Sequence, residues 1–80
     1  MKIAVVCYSG YKADERPLRF RLGTRDYRVE EVMDQWYGPD DLFFKVRAGD
    51  GNVYILRRHG EKAEGDWTLE SFREIKVRSD

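Results

Sequence analysis

The sequence predicts an all-β fold: five to six short antiparallel strands forming a curled sheet or small open barrel. Three observations carry that reading. Apolar and polar residues alternate with period 2 through most of the chain, as half-buried strands require. Clusters of turn residues interrupt the alternation at Gly23-Thr24-Arg25, Gly38-Pro39-Asp40-Asp41 and Gly49-Asp50-Gly51-Asn52. The runs recur about every ten residues, the spacing of a small sandwich or barrel.

Residues 3–8, IAVVCY, are almost continuously apolar, which fits a strand buried on both faces or covered by a partner. In 17–22, Leu18, Phe20 and Leu22 share one face while Arg19 and Arg21 share the other. Residues 26–37 are rich in Tyr, Val and Trp and favour strand, but their apolar phase slips from odd (Tyr27, Val29) to even (Val32, Trp36). An extra residue near Glu30-Glu31, a β-bulge that bends a long strand, accounts for the slip. The competing helical reading of Val29, Val32, Met33 and Trp36 is disfavoured by the strand-like flanks and the early Gly38-Pro39. Residues 42–48 alternate again, with Leu42, Phe44, Val46 and Ala48 opposite Phe43, Lys45 and Arg47. Asp50-Gly51 between two alternating runs is the strongest short-range hairpin signal, and 53–58 is the partner strand. Residues 59–66 read as an exposed loop, and 67–71 as a short strand. The stretch 69–77 is readable as strand or as a short C-terminal helical turn, since Leu69, Phe72 and Ile75 also share a helical face.

Eighty residues make a single small domain, 1–80. Eleven aromatic residues (four Phe, five Tyr, two Trp) argue for a packed core, because each ring buries roughly 150–250 Å². The longest apolar run is too short for a membrane span, which needs about 20 residues, or for the apolar region of a signal peptide. One cysteine cannot form an internal disulfide, which fits a reducing compartment. A cytoplasmic domain with no membrane association is expected.

Enzyme signatures fail one after another. The opening strand ends in Ser9-Gly10, but one glycine and an imminent Pro17 do not make a nucleotide-binding turn. A cysteine phosphatase loop needs arginine after five intervening residues, where Cys7 has Ala13. His59 is the only histidine and has no second ligand at metal spacing, so it reads as a solvated loop residue. Glu30-Glu31 and Asp40-Asp41 read as bulge and turn residues, because neighbours on a strand point to opposite faces. No enzyme, cofactor or metal is expected.

What remains is sorted charge on a chain of zero formal net charge. Acidic residues concentrate at turns and ends, whereas Arg19, Arg21, Arg28, Lys45, Arg47, Arg57 and Arg58 fall within strands. Arg19, Arg21, Phe43, Lys45 and Arg47 are expected on one outer sheet face, joined by one of Arg57 and Arg58. Such a face can track a phosphate backbone and stack bases. It can equally be a salt-bridged face, neutralised by Glu30, Glu31, Glu70 or Glu74, and the absence of net positive charge favours that. Trp36, Tyr37, Tyr54 and Trp67 are expected in the core or at its rim.

The succession Tyr27-Arg28-Val29, Val32, Trp36, Phe44-x-Val46, Asp50-Gly51, Tyr54-x-Leu56-x-Arg58 and Trp67-x-Leu69 resembles a family of small uncharacterised bacterial proteins. It is similar also to the C-terminal module of the polymerase-like subunit of the bacterial mutagenic-repair cassette. The resemblance covers Pro17 to about Phe72 and implies a β-rich accessory module, with no catalytic residue to carry over. Residues 1–16 are an addition to that pattern. The function expected from these readings is a non-catalytic module that binds a macromolecule, first of all another protein. The alternative is a nucleic-acid-binding domain using Arg19, Arg21, Phe43, Lys45 and Arg47. A homodimer through 3–8 or the Phe43 face is the third arrangement to be distinguished.

Overall fold

Each alternating run becomes a strand. The computed structural model describes residues 2–7, 16–60 and 66–73, and these form six: β1 (Lys2–Cys7), β2 (Pro17–Leu22), β3 (Arg25–Tyr37), β4 (Asp41–Ala48), β5 (Val53–His59) and β6 (Trp67–Arg73). There is no helix among the described residues, and so none long and apolar enough to cross a membrane. The strands pair antiparallel in chain order and β1 closes on β6, making a barrel. The closing seam is short, Lys2 opposite Thr68 and Ile3 opposite Trp67. The ambiguous stretch is strand through Arg73; 74–77 lie outside the described residues, as does 61–65 of the expected loop. His59 ends β5 rather than opening that loop.

A sheet this small closes only if its strands bend, and the pairing registers contain the bends. In β2, Val6 faces Arg19 but Cys7 faces Pro17, leaving Leu18 extra. In β3, Glu30 is extra between the pairs Val29–Ala48 and Glu31–Arg47, and Met33 between Val32–Val46 and Asp34–Lys45. In β6, Glu70 is extra between the pairs Ser71–Ile55 and Leu69–Leu56. An unpaired extra residue kinks its strand and increases the right-handed twist. The bulge expected near Glu30-Glu31 is present; a second, at Met33, two pairs farther along, leaves no trace in the apolar pattern because the residue it turns outward, Trp36, is itself apolar.

The bulge in β2 corrects one sequence expectation. Leu18 does not join Phe20 in the core: it is 46 % exposed, and Pro17 is buried in its place. β1 is likewise buried on one face only, through Ile3, while Val6 is half exposed. The core comprises Phe20, Leu42, Phe44, Val46, Ala48, Tyr54, Leu56 and Trp67, with Val29, Val32 and Leu69 packed against it. Phe20, Tyr27, Tyr54 and Phe72 form one aromatic cluster, with ring centroids 5.0–5.5 Å apart. Phe44 and Trp67 form a second contact at 5.8 Å.

The β4–β5 hairpin anchors the first cluster. Its turn runs from Ala48, whose carbonyl accepts from Gly51 N–H, and Gly51 takes φ 86°, the left-handed conformation that explains Asp50-Gly51 there. The turn aims the Asp50 carboxylate back at the core, where Tyr54 Oη donates to Oδ2 at 2.6 Å and Asn52 N–H to Oδ1 at 3.0 Å. Burial pushes the Asp50 carboxyl up, but the hydrogen bonds from Tyr54 and Asn52 outweigh it and hold the group below its ordinary value. Burial, and then the hydrogen bond to Asp50, pushes the Tyr54 phenol far above its ordinary range.

Two outcomes follow from these arrangements. Phe20→Ala should cost about 3–5 kcal/mol of stability in urea unfolding, while Leu18→Ser should stay within about 0.5 kcal/mol; equal losses would place Leu18 in the core after all. Asp50→Ala strands the buried Tyr54 hydroxyl and should cost about 1–3 kcal/mol at neutral pH. The Asp50 contribution is complete above the ordinary aspartate range and disappears as pH falls through the lowered folded-state value. The stability gap between wild type and Asp50→Ala should therefore narrow below about pH 4.

Candidate functional site

Register decides where the expected site residues go. Arg19, Arg21, Phe43, Lys45 and Arg47 each stand next to a buried residue of their own strand and point outward. β3 stands between β2 and β4, however, and divides the five into two panels. On the first panel, Arg21 faces Asp26 and is bound by it in a fork, Nε to Oδ1 at 3.0 Å and Nη2 to Oδ2 at 3.2 Å. Arg19 directly faces Arg28, which reaches Glu30 at 3.2 Å. On the second, Arg47 pairs with Glu31 at 2.9 Å, and Lys45 faces Asp34. Such exposed pairs stabilise little, about 0–1 kcal/mol each, but they neutralise much of the positive potential that a phosphate backbone would meet.

Between two adjacent basic residues, alternation must send one out and one in. Arg57 is the outward one. Its guanidinium lies 5.4 Å over the Phe43 ring and is held by Asp41 and, at 3.0 Å, by Glu70. The hydrogen bonds it donates to Glu70 and then Asp41 push its pKa upward, so it stays charged. Trp36 faces Phe43 from β3, stacked at 5.4 Å with planes 4° apart. Trp36, Phe43 and Arg57 thus form a ladder across three strands. Gly38 permits it, because a β-carbon there would come within 3.1 Å of the Phe43 ring. Trp36, expected in the core or at its rim, therefore packs on the outside of the barrel; the Met33 bulge has turned it over. Arg58 is the inward residue, 8 % exposed, between Leu42 and Trp67 in register.

His59 has company that its sequence neighbours could not reveal. Nδ1 lies 3.5 Å from Asp41 Oδ1 and Nε2 3.0 Å from Thr68 Oγ1, bridging three strands. Arg57 shares Asp41, so the carboxylate is committed to the guanidinium as much as to the imidazole. No group of three or more potential metal ligands occurs among the described residues.

Among the described residues, the upper half of β3 is paired on one side only. β2 pairs with 25–28 only; beyond that, Pro17 and Leu18 still line a cleft with 29–32, and 33–37 has no described strand paired to it on that side. Val29, Val32, Gln35 and Tyr37 face Ala48, Val46, Phe44 and Leu42, all buried, so they share the barrel-facing side of β3. Exposure rises along this strip: Val29 and Val32 are half-buried, Gln35 is exposed and Tyr37 is 75 % exposed. Tyr37, expected in the core or at its rim, is exposed instead. A cleft of about 470 Å³ lined by Leu18, Val29, Val32, Glu30 and Glu31 flanks the strip at one end. Another of about 400 Å³, lined by Tyr37, Pro39, Asp40, Leu42 and Arg58, flanks it at the other. The backbone edge is guarded: two bulges break its rhythm, and Asp34 Oδ1 takes the Gln35 N–H at 2.8 Å.

A double-mutant cycle on Trp36→Ala and Phe43→Ala should give a coupling of about 0.5–1.5 kcal/mol, with Trp36 fluorescence altered in Phe43→Ala. Strictly additive losses would mean that the ladder is not a stabilising contact. No protein family, curated protein or solved structure matches this chain, and its function is read from the geometry of these strands.

Proposed function

We propose that this chain is an accessory β-barrel module that binds another protein along the open, barrel-facing side of upper β3. The observation that carries this reading is the strip ending in Tyr37, with exposed Leu18 and Met33 beside it and no second described strand paired along 29–37. Exposed apolar side chains that cluster on one element mark interaction surfaces better than scattered ones do. The blunted backbone edge supports recognition through side chains rather than by strand addition. A role as an accessory module also agrees with the family resemblance over 17–72.

One observation favours nucleic acid as the second reading. Arg19 and Arg28 face each other across β2 and β3, an unfavourable pair that a bridging phosphate would relieve. Against it stand the ion pairs of Arg21, Arg28, Arg47 and Arg57.

Site-specific photocrosslinking separates the readings. A benzophenone side chain at position 37 or 33 should give a discrete covalent adduct with a protein in native lysate. The same group at Thr24, in the exposed β2–β3 turn, should give none, and Val32→Asp should abolish the adduct at 37. Absence of adducts at 37 and 33 overturns the protein reading. Salt-sensitive amide shifts on Arg19, Arg21, Phe43, Lys45 and Arg47 with single-stranded DNA would put the nucleic-acid reading in its place.

A further inference from the structure

We infer that Asp50-Gly51 is a covalent modification site, a peptide bond prone to rearrange to isoaspartate, and that Tyr54 and Asn52 latch the Asp50 carboxylate against that rearrangement. The inference is independent of what the barrel binds.

The chemistry is intrinsic to the pair. In an unrestrained chain the Gly51 nitrogen attacks Asp50 Cγ. The N–Cγ bond forms as the Cγ–OH bond of the protonated carboxyl breaks, and the departing hydroxyl leaves as water with the amide proton. Water then reopens the cyclic imide at either carbonyl. Opening at Cγ restores aspartate. Opening at the α-carbonyl leaves the chain running through Cγ, with one more methylene in its backbone. Water is the only co-reactant.

The hairpin makes this pair hard to avoid. Gly51 takes φ 86°, where a residue with a side chain is strained. The same lack of a side chain leaves the nitrogen unscreened, since nothing stands within 4 Å of where a β-carbon would be. Asp50 and Gly51 are both exposed, so water reaches the turn. The residue that the turn requires is thus the one that opens its peptide bond to attack.

Three contacts oppose the attack. Oδ2 accepts from Tyr54 Oη at 2.6 Å and from Asn52 Nδ2 at 3.1 Å, while Oδ1 accepts from Asn52 N–H at 3.0 Å. Both oxygens must give up these partners before the carboxyl can swing onto the Gly51 nitrogen. Burial pushes the carboxyl up, but the same bonds outweigh it and favour the ionised form, which has no hydroxyl to lose. The nitrogen is engaged as well, its N–H donating to the Ala48 carbonyl at 2.9 Å. Tyr54 is the strongest restraint because its ring is fixed among Phe20, Tyr27 and Phe72. The buried hydroxyl thereby has a second use besides stability.

The test is accelerated ageing at neutral pH, with isoaspartate at Asp50 followed in the tryptic peptide 48–57, where it shifts retention at unchanged mass. Tyr54→Phe keeps the ring and removes the hydroxyl, and should raise the rate over folded wild type by about fivefold or more. Ile3→Val trims the core far along the chain from the turn and lowers stability without touching the latch. It should age at the wild-type rate. Wild type unfolded in urea should rearrange faster than folded wild type. A Tyr54→Phe rate no higher than that of Ile3→Val overturns the inference, because the hydroxyl then acts through stability alone. So does a folded wild type that ages as fast as the unfolded chain. If Tyr54→Phe does not fold, Asn52→Ala decides: it removes only the Nδ2 bond, and a rate above wild type supports the latch while an unchanged rate overturns it.

Discussion

Curvature is the constraint on which the rest of this structure depends. Six strands of six to thirteen residues meet at a seam of only two residue pairs, and they reach it because Leu18, Glu30, Met33 and Glu70 are inserted without partners. Each insertion is local, yet each has a long-range effect. A single extra residue reverses the facing of everything beyond it, because strand side chains have period 2. The two insertions in β3 hence restore the original phase in part: Val32 points inward after the first, and Trp36 outward after the second. Without the second, Trp36 would face the interior and Tyr37 the solvent-facing ladder position. Both the ladder and the exposed strip are products of the bends that close the barrel.

That dependence explains what the sequence made legible. Strand existence was readable nearly everywhere, because turn residues at Gly23, Gly38-Pro39 and Asp50-Gly51 have backbone or packing reasons to be there. Hairpin register was readable too. A two-residue turn at Pro39-Asp40 requires 36 to face 43 and 37 to face 42, as they do. The Glu30 bulge showed as a phase slip. Bulges that left no net slip, or lay near a strand end, were invisible: Met33 is compensated, and Leu18 sits beside a proline that took its place. Of the site, the outward placing of Arg19, Arg21, Phe43, Lys45 and Arg47 followed from alternation alone. Their division into two panels did not, since it depends on β3 standing between β2 and β4. Asp41, His59 and Thr68 come together from three strands, and no spacing along the chain encodes that.

The outer surface is held by short-range pairing rather than by net charge. Zero net charge could have meant an even scatter, but the arginines of β2 and lower β3 and the carboxylates of upper β3 occupy different parts of the barrel. Where the two regions touch, ion pairs form: Arg28 to Glu30 and Arg47 to Glu31. Each is worth little as an exposed contact. Their consequence is for recognition, because an arginine already facing a carboxylate offers a phosphate less than a free one. Arg57 is the extreme case, with two carboxylates and an aromatic face engaged at once. It behaves as a structural clamp across β4, β5 and β6.

The open side of β3 poses the problem of any uncovered strand, which is a template for pairing with whatever chain comes by. Here the bulges that shape the barrel also spoil that template. Regular pairing needs donors and acceptors at even intervals, and the strand has extra residues at Glu30 and Met33 and an occupied N–H at Gln35. The edge is thus closed to indiscriminate strand addition while its barrel-facing side chains remain accessible. A protein that needed only to fold would gain by burying Tyr37, whose ring contributes nothing to the core at 75 % exposure. The bends that close the barrel thus leave the β3 edge irregular and the Tyr37 ring in water.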